Sequence, residues 1–227
     1  MNQSIVHSDG PILLVGGADC DNRQLISLLE TVKAVVGVDR GADRLQALGV
    51  RPDAVIGDLD SVSAATRDAL PTHLVHHIAE QDSTDFDKAL RNVTAPLVLG
   101  AGFLGSRLDH QLAAMTVLVR RAGRRAVLVG DRDLVMLAPP DLWLDLPLGS
   151  RLSLFPMRAV SGRSDGLRWP IDGLRFAPDG AVGTSNEVTG PVRLRFDTPG
   201  MLLILPVRAL SAVQAGLALC PDGWPAP

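Results

Sequence analysis

Aspartates recur in this chain at positions that an ordinary solvated surface does not explain. Each ends an apolar, strand-like run or opens a helix-like segment, and the six are Asp39, Asp58, Asp60, Asp82, Asp85 and Asp109. In an open α/β sheet, ligands bind at the carboxyl ends of the strands. Two carboxylates about 4 Å apart there repel each other by about 1 kcal/mol in water and by about 4 kcal/mol at an effective dielectric near 20. A divalent cation removes that repulsion, so the pattern predicts a magnesium-dependent enzyme that acts on a phosphorylated substrate.

The segment IGDLDS illustrates the geometry that such a site needs. Asp58 and Asp60 are two positions apart, so in an extended chain both side chains point to the same side. Mg²⁺ prefers oxygen ligands, and an aspartate can accept the proton of an attacking hydroxyl. Arg107, which follows a glycine-rich loop, is a candidate phosphate contact. Its simpler alternative is a solvated arginine or one paired with Asp109.

Simpler roles also exist for the other acidic residues. Asp60 could cap the helix that follows it, because short polar side chains accept hydrogen bonds from free backbone N–H groups at helix starts. Asp85 could complement a helix dipole, with Lys88 as a surface ion-pair partner. Asp82 and Asp85, three residues apart, resemble a capping arrangement. Capping and dipole effects do not explain all these acids together, and the cation site remains the favoured interpretation.

A competing signal lies in the glycine loop itself. Residues 100–105 fit the dinucleotide pattern G-x-G-x-x-G between a strand and a helix. The loop follows about the fifth predicted strand, whereas that pattern normally marks the first strand–helix turn of its unit. A nicotinamide enzyme also has no need of the aspartates. The loop is better interpreted as backbone that approaches a phosphate. The sequence also contains no P-loop kinase motif.

Bulk composition excludes several classes of protein. The chain has 227 residues, 46% of them hydrophobic, with a formal charge of −3, 4% aromatic residues and no tyrosine. These values argue against a nucleic-acid partner and against base-stacking surfaces. Cys20 and Cys220 are expected to be reduced thiols. With no long apolar run and no export signal, we expect a cytoplasmic protein without a membrane partner.

Two kinds of periodicity divide the chain. Five short apolar runs alternate with helix-like segments up to residue 138: Ile12–Val15, Ala34–Val38, Ala54–Ile56, Pro96–Leu99 and Ala126–Val129. This alternation predicts an α/β domain over 1–138, with a mainly parallel sheet and flanking helices. From 139 to 227 apolar residues recur every second position, as in Val192, Leu194 and Phe196. We therefore expect a smaller antiparallel β-sandwich domain there.

Together these motifs resemble those of the thiamine pyrophosphokinase family. The matching segments are VDRGADRLQALGVRPDAVIGDLDS, DSTDFDKAL, LGAGFLGSRLDHQLAAM, GLRWPIDGLRF and GTSNEV. The resemblance implies transfer of a pyrophosphoryl group from ATP to the hydroxyl of thiamine, which gives thiamine diphosphate and AMP. It further implies a homodimer, in which thiamine binds between the catalytic domain of one subunit and the β domain of the other.

The resemblance also implies roles for particular residues. Mg²⁺ and the β- and γ-phosphates would be handled by the catalytic group Asp58, Asp60 and Asp85. The ATP and transfer site would be lined by Asp39, Ser61, Thr84, Arg107 and Asp109. Thiamine would be faced by Ser185, Asn186 and Trp169, although a core position for Trp169 is an equal alternative.

Some questions stay open at this level. Arg40 and Ser106 stand where the family often has glycine, which affects the expected phosphate contacts. The residues do not decide which aspartate assists deprotonation of the acceptor, Asp85 being one candidate. Two other functions remain possible: a pyrophosphokinase for another hydroxymethyl acceptor such as a pterin, and a non-catalytic nucleotide or thiamine sensor. Intact Asp58, Asp60 and Asp85 argue against the sensor.

Overall fold

The structure, a computed structural model, describes residues 4–80, 82–105, 107–220 and 223–225. The chain divides into two compact units. The first contains the chain up to Val117 together with Ala126–Asp131, and the second contains Leu118–Arg125 together with the chain from Arg132 onward. Within the described ranges, no helix combines the length and the apolar character that a bilayer crossing requires.

The first unit alternates strands and helices. Its strands are β1 (Val6–His7), β2 (Ile12–Val15), β3 (Ala34–Val38), β4 (Ala54–Gly57), β5 (Val75–His77), β6 (Val93–Thr94), β7 (Val98–Ala101) and β8 (Ala126–Val129). Its helices are α1 (Asn22–Leu29), α2 (Gly41–Ala47), α3 (Ala64–Ala69), α4 (Asp85–Asn92) and α5 (Leu108–Arg120), and the end of α5 lies in the second unit.

The main sheet of this unit is parallel, in the order β8-β7-β2-β3-β4-β5. Strands β2, β4, β7 and β8 are buried at every position, because helices cover parallel sheets on both faces. Helix α2 packs on β2 and β3, and helix α4 packs on β3 and β4. The predicted α/β class, with a large parallel sheet and flanking helices, is confirmed.

Helix starts in this unit depend on short polar side chains. Asp21 caps α1, Ser63 caps α3 and Thr84 caps α4, each by accepting backbone N–H groups of the first turn. The capping arrangement predicted for Asp82 is therefore wrong, since Thr84 takes that place. The capping alternative for Asp60 is also wrong, because α3 begins behind Ser63.

The second unit is mainly antiparallel. Its elements are β9 (Asp133–Leu137), β10 (Asp141–Leu144), β11 (Arg151–Pro156), β12 (Val160–Leu167), β13 (Arg175–Phe176), β14 (Gly183–Phe196), β15 (Met201–Pro206) and α6 (Leu210–Leu219). The strands follow the order β13-β12-β14-β11-β15-β9, and β10 also pairs with β14. The pairings of β9 to β15 with one another are antiparallel, as expected. The sandwich packing itself stays a prediction.

Candidate active site

The carboxyl ends of β3 and β4 bring two of the predicted aspartates together. Asp39 follows β3 and Asp58 follows β4, and these strands are neighbours in register. The backbone N–H of Asp39 donates to the carbonyl of Ile56 at 3.0 Å. A Cβ at Gly57 would lie 3.0 Å from the Cβ of Asp39, so glycine permits this close approach. The parallel sheet thus joins residues that lie 19 positions apart in sequence.

The IGDLDS segment forms a turn rather than a continued strand. Leu59 adopts a φ of 62°, a left-handed conformation that non-glycine residues seldom adopt. The backbone N–H of Asp60 lies 3.4 Å from Oδ1 of Asp58, as in turns that an aspartate stabilises two residues on. The predicted extended conformation is therefore wrong, although the two side chains still converge. Asp39 also has a positive φ, of 48°, and such strain concentrates at functional sites.

Three carboxylates form an acidic cluster, which consists of Asp39, Asp58 and Asp60. Each contributes one oxygen, and these oxygens lie within 4.8 Å of one another. Asp39 is only 9% exposed, and its Oδ2 accepts a hydrogen bond from the Ser61 hydroxyl. Its Oδ1 is buried without a partner among the described residues. An unpartnered buried oxygen is costly, and three carboxylates are a donor set that suits Mg²⁺, so the residues fit such an ion.

Lys88 connects the two acidic motifs from inside the protein. Its side chain is 2% exposed, and Nζ lies 3.4 Å from Oδ2 of Asp58 and 3.0 Å from Oδ1 of Asp85. The expectation of a surface pair for Lys88 is therefore wrong. A buried ammonium needs hydrogen-bonded anionic partners. Lys88 thus holds the turn after β4 against the first turn of α4.

The pKa values of two members of the acidic cluster shift in opposite directions. The negative charge of Asp58 raises the pKa of Asp60, and the charges of Asp39 and Asp85 raise it further. Partial burial raises the pKa of Asp58, but hydrogen bonds from the Asp60 N–H and from Lys88 outweigh it, so the net pKa is lowered. Asp58 is thus stabilised as an anion, whereas Asp60 carries the repulsion that a cation would relieve.

Asp85 lies beside the cluster and not within it. The three carboxylates whose oxygens lie within 4.8 Å of one another are Asp39, Asp58 and Asp60. Asp85 is instead linked to Asp58 through Lys88. Its charge nevertheless acts on the pKa of Asp60. The structure therefore adds Asp39 to the group, and metal ligation by Asp85 stays a prediction.

Thr84 and Ser61 have local roles that the sequence analysis did not assign. The Thr84 hydroxyl accepts the backbone N–H of Asp87 at 3.3 Å and so caps α4. The Ser61 hydroxyl donates to Asp39 and orients its carboxylate. Nucleotide contacts by these two residues stay predictions.

The glycine loop after β7 packs against the loop after β2. Gly102 has a φ of 75°, and a Cβ there would lie 2.4 Å from the carbonyl oxygen of Gly16. A Cβ at Gly105 would lie 2.4 Å from that of Ala18. The glycine pattern therefore has a structural reason, because two backbone segments approach each other closely there. A bound dinucleotide is not needed to explain it. β2 and β7 are also where the strand order reverses, the usual ligand crevice of such sheets.

Arg107 and Asp109 form an exposed ion pair at the start of α5. Nε of Arg107 lies 3.2 Å from Oδ1 of Asp109, and Nη2 lies 2.6 Å from Oδ2. The hydrogen bond from Arg107 lowers the pKa of Asp109. The structure thus shows the paired alternative, and contact with ATP stays a prediction for both residues. Ser106 lies outside the described residues.

In the second unit, Asn186 fixes the position of Trp169. Asn186 is 5% exposed; its Oδ1 accepts the Trp169 N–H at 3.2 Å and its Nδ2 donates to the Trp169 carbonyl at 2.7 Å. Trp169 is 54% exposed, with the Arg168 guanidinium 5.1 Å from its ring centroid. The core alternative for Trp169 is therefore wrong. Ser185 precedes Asn186 on β14 and is exposed, with a φ of 61°. Trp169, Ser185 and Asn186 are together called the aromatic platform.

Sequence reasoning missed the burial of Lys88 and the place of Asp39 in the acidic cluster. A signal for Lys88 was present, because it follows Asp85 by three positions on one helix face. Phe86, Ala89 and Leu90 lie on a different face of α4 and are buried as well, so the helix is enclosed on more than its apolar face. No local pattern indicated that Asp39 would lie beside the turn after β4, since that depends on strand order.

A parallel α/β unit with clustered carboxylates at the strand ends is typical of enzymes that act on phosphorylated substrates with a divalent cation. The family profile described as "Thiamin pyrophosphokinase, catalytic domain" matches residues 25–129. The chain is 30% identical over 195 residues to thiamine pyrophosphokinase 1 of Arabidopsis thaliana. The aligned region covers 71% of this chain and 73% of that protein. The chain belongs to the thiamine pyrophosphokinase family.

Other proteins are similar to this chain in sequence or in fold. The chain is 30% identical over 159 residues to thiamine pyrophosphokinase 1 of Oryza sativa subsp. japonica. This aligned region covers 61% of the chain and 60% of that protein. The fold resembles that of thiamin pyrophosphokinase from Candida albicans, with a TM-score of 0.74, 15% identity and coverage of 88% of this chain and 92% of that one. For the Geobacillus thermodenitrificans protein the TM-score is 0.69, with 24% identity and coverage of 86% and 96%.

Proposed function

We propose that this protein is a thiamine diphosphokinase, which transfers a pyrophosphoryl group from ATP to thiamine. The thiamine hydroxyl oxygen forms a bond to the β-phosphorus of ATP, and the bond from that phosphorus to the α,β-bridging oxygen breaks. The products are thiamine diphosphate and AMP, and the hydroxyl proton passes to a base. The observation that carries the proposal is the acidic cluster with its unpartnered Asp39 oxygen, in a chain of this family.

Mg²⁺ is the proposed cation, held by Asp58 and Asp60 with Asp39 beside them. Bound there, Mg²⁺ would neutralise negative charge on the phosphate oxygens. Lys88 keeps Asp58 ionised and oriented, because its ammonium lies 3.4 Å from Oδ2 of that carboxylate and lowers its pKa. Asp85 shares Lys88 with Asp58, and the proposal keeps it as a further ligand or as the acceptor of the hydroxyl proton.

ATP is proposed to lie along the start of α4 and the loop before α5. Thr84 and Ser61 support this placement because both lie next to the acidic cluster or the helix that borders it. Arg107 is exposed, so its planar guanidinium can exchange the Asp109 carboxylate for a phosphate with the same two-point geometry. Asp109 then frames the nucleotide beside that contact.

The aromatic platform is the proposed thiamine contact. An exposed tryptophan whose backbone is clamped by a buried asparagine presents a fixed apolar face to an aromatic ligand. Trp169→Ala should raise the KM for thiamine about tenfold and leave the KM for ATP within twofold. Trp143→Ala is the matched control, because Trp143 is also about half exposed and stacked by an arginine. Equal thiamine KM values in both variants would remove Trp169 from the acceptor site.

One assay separates this function from the alternatives. The protein is incubated with Mg-ATP and either thiamine or a hydroxymethylpterin, and AMP and ADP are quantified separately. AMP formed only with thiamine is the expected result. AMP formed only with the pterin would identify the other acceptor, and binding of ATP or thiamine without turnover would identify a sensor. ADP as the product would contradict pyrophosphoryl transfer.

The proposal extends to organisation and location. Residues 1–138 would bind the nucleotide and carry the catalytic aspartates, and residues 139–227 would bind thiamine and dimerise. Light scattering should give twice the mass of one chain, and a monomer mass with full activity would contradict the homodimer. A cytoplasmic location is part of the same proposal and is tested by cell fractionation.

A further inference from the structure

A depression of about 540 Å³ lies within the second unit, among residues that the proposed reaction does not use. Three of its lining residues are arginines: Arg163, Arg175 and Arg195. The other lining residues include the polar residues Ser161 and Asp197 and the apolar residue Leu174. Such a concentration of guanidinium groups is unexpected on a chain with a net charge of −3.

Strand pairing places these arginines on one face of the sheet. Arg163 on β12 lies directly opposite Arg195 on β14. Arg175 on β13 lies opposite Ser161, which precedes Arg163 by two positions and so shares its face. Like charges directly opposite each other in an antiparallel pair are destabilising. The sheet therefore holds a repulsive contact that pairing with a carboxylate would normally remove.

The carboxylates nearby neutralise the positive charge of the three arginines only in part. Asp165 lies 3.2 Å from Nη2 of Arg195, while Nε of Arg195 is buried without an acceptor among the described residues. The Asp197 carboxylate accepts the backbone N–H of Ser161 at 3.0 Å. Over the part of the chain that the structure describes, Arg163 and Arg175 have no carboxylate within ion-pair distance. Both side chains are exposed, so two positive charges remain available to a ligand.

We propose that this depression binds a small phosphorylated anion, at a site separate from the acidic cluster. Guanidinium groups match phosphate oxygens in a planar, two-point geometry. The volume lies within the roughly 300–1,000 Å³ of small-molecule sites. Leu174 is 45% exposed and adds an apolar group to the lining, which suits an organic phosphate. Inorganic pyrophosphate and a nucleoside monophosphate share the required chemistry and are the two probes.

Calorimetric titration of the full chain tests the site, in low salt with EDTA present to suppress binding at the acidic cluster. Pyrophosphate and AMP are titrated into wild-type protein, into Arg163→Gln/Arg175→Gln and into Arg208→Gln, an exposed arginine elsewhere in the same unit. We expect the double variant to bind at least tenfold more weakly and the control to stay within twofold. Tighter binding of AMP would identify an organic phosphate, and tighter binding of pyrophosphate an inorganic one.

Equal binding by the double variant would overturn the proposal, as would no binding of either probe at millimolar concentration. If an oligonucleotide binds and neither phosphate probe does, the proposal is overturned in favour of a nucleic-acid surface.

A second measurement uses the repulsion between Arg163 and Arg195. Arg163→Gln should raise the Tm of the ligand-free protein and lose the Tm increase that pyrophosphate gives the wild type. A lower ligand-free Tm with an undiminished pyrophosphate effect would overturn the site. Thiamine turnover is measured separately in the same variants. A failure of the anion site would therefore not count against the proposed thiamine diphosphokinase reaction.

Discussion

Carboxylates on the strands of the second unit lie beside arginines, whereas those of the acidic cluster in the first unit lie beside one another. Among the described residues, ion pairs that hold strands or loops of the second unit include Asp133–Arg151, Asp141–Arg193, Asp165–Arg195 and Glu187–Arg168. In the acidic cluster, Lys88 forms an ion pair with Asp58, and within the described residues it forms none with Asp39 or Asp60.

This difference separates charges that support the fold from charges that await a ligand. A carboxylate paired across strands lowers the energy of the folded chain by itself, although an exposed pair contributes little. Crowded carboxylates raise that energy, and they persist where a ligand compensates them. The comparison therefore predicts opposite effects of the same chemical change, aspartate to asparagine, in the two units.

The largest effect is expected on catalysis. Asp58→Asn should reduce kcat/KM at least 1,000-fold, about 4 kcal/mol of transition-state stabilisation, because loss of a cation ligand costs several kcal/mol. Circular dichroism should show an unchanged fold. Asp141→Asn is the matched control and should retain wild-type turnover. An Asp58→Asn variant with near-normal turnover would break the functional half of the comparison.

The next effect is expected on stability when the buried cation is lost. Lys88→Met leaves Asp58 and Asp85 facing each other without compensation and should lower the free energy of unfolding by about 2–3 kcal/mol. This figure is below that of a fully buried pair because the Asp85 side chain is 33% exposed. Lys33→Met is the control, since Lys33 forms an exposed pair with Asp9 and should cost less than about 1 kcal/mol. Urea unfolding measures both, and equal losses would show that Lys88 has no special role.

A gain in stability is expected at the crowded site. The pKa of Asp60 is raised above the ordinary carboxyl value by the charge of Asp58, so wild-type protein loses stability as pH rises from about 4 through that raised pKa. The neutral side chain of Asp60→Asn avoids this loss. In EDTA, the Tm of the variant should match the wild type near pH 3 and exceed it at pH 7. Added Mg²⁺ should raise the Tm of the wild type more than that of the variant. A lower Tm of the variant at pH 7 would show that Asp60 is not under repulsion.

The smallest effect is expected at the paired site. The hydrogen bond from Arg193 lowers the pKa of Asp141, so its contribution is present above about pH 4 and is lost as pH falls through the lowered pKa. Asp141→Asn should destabilise the protein by less than about 1 kcal/mol at pH 7, because the carboxylate is 40% exposed. Thermal melts from pH 2 to pH 7 should show the difference shrinking toward acid pH. A gain in stability at pH 7 would contradict the contrast with Asp60.

Much of the first unit could be predicted from local pattern. Ile12–Val15 and Ala34–Val38 were predicted as strands with the bounds that β2 and β3 have. Continuous short apolar runs are typical of parallel strands that are buried on both faces. The positions of Asp39 and Asp58 at strand ends followed from the same runs. In the second unit, the alternation at Val192, Leu194 and Phe196 predicted a half-buried strand, and these residues lie in β14 with their side chains buried.

Features that depend on distant contacts could not be predicted in the same way. The hydrogen bonds between Asn186 and Trp169 join residues 17 positions apart on different parts of the second unit. The left-handed conformation of Leu59 contradicts the extended chain that local spacing suggested. In each case the conformation is stabilised by a partner that is remote in sequence, or by a turn that the surrounding structure imposes. The hydrophobic periodicity of the sequence carries no information about either.

By itself, the sequence determined which residues have the chemistry for a cation and phosphate site, and it placed them at the ends of elements, because side-chain type and hydrophobic period are local properties. Only the tertiary structure decided which of these residues meet. It brought Asp39 to Asp58 and Asp60 because β3 and β4 are neighbours, and it buried Lys88 between two motifs because α4 packs on those strands. Strand order and helix packing minimise the energy of the whole chain, and the distances between charges follow from that minimum.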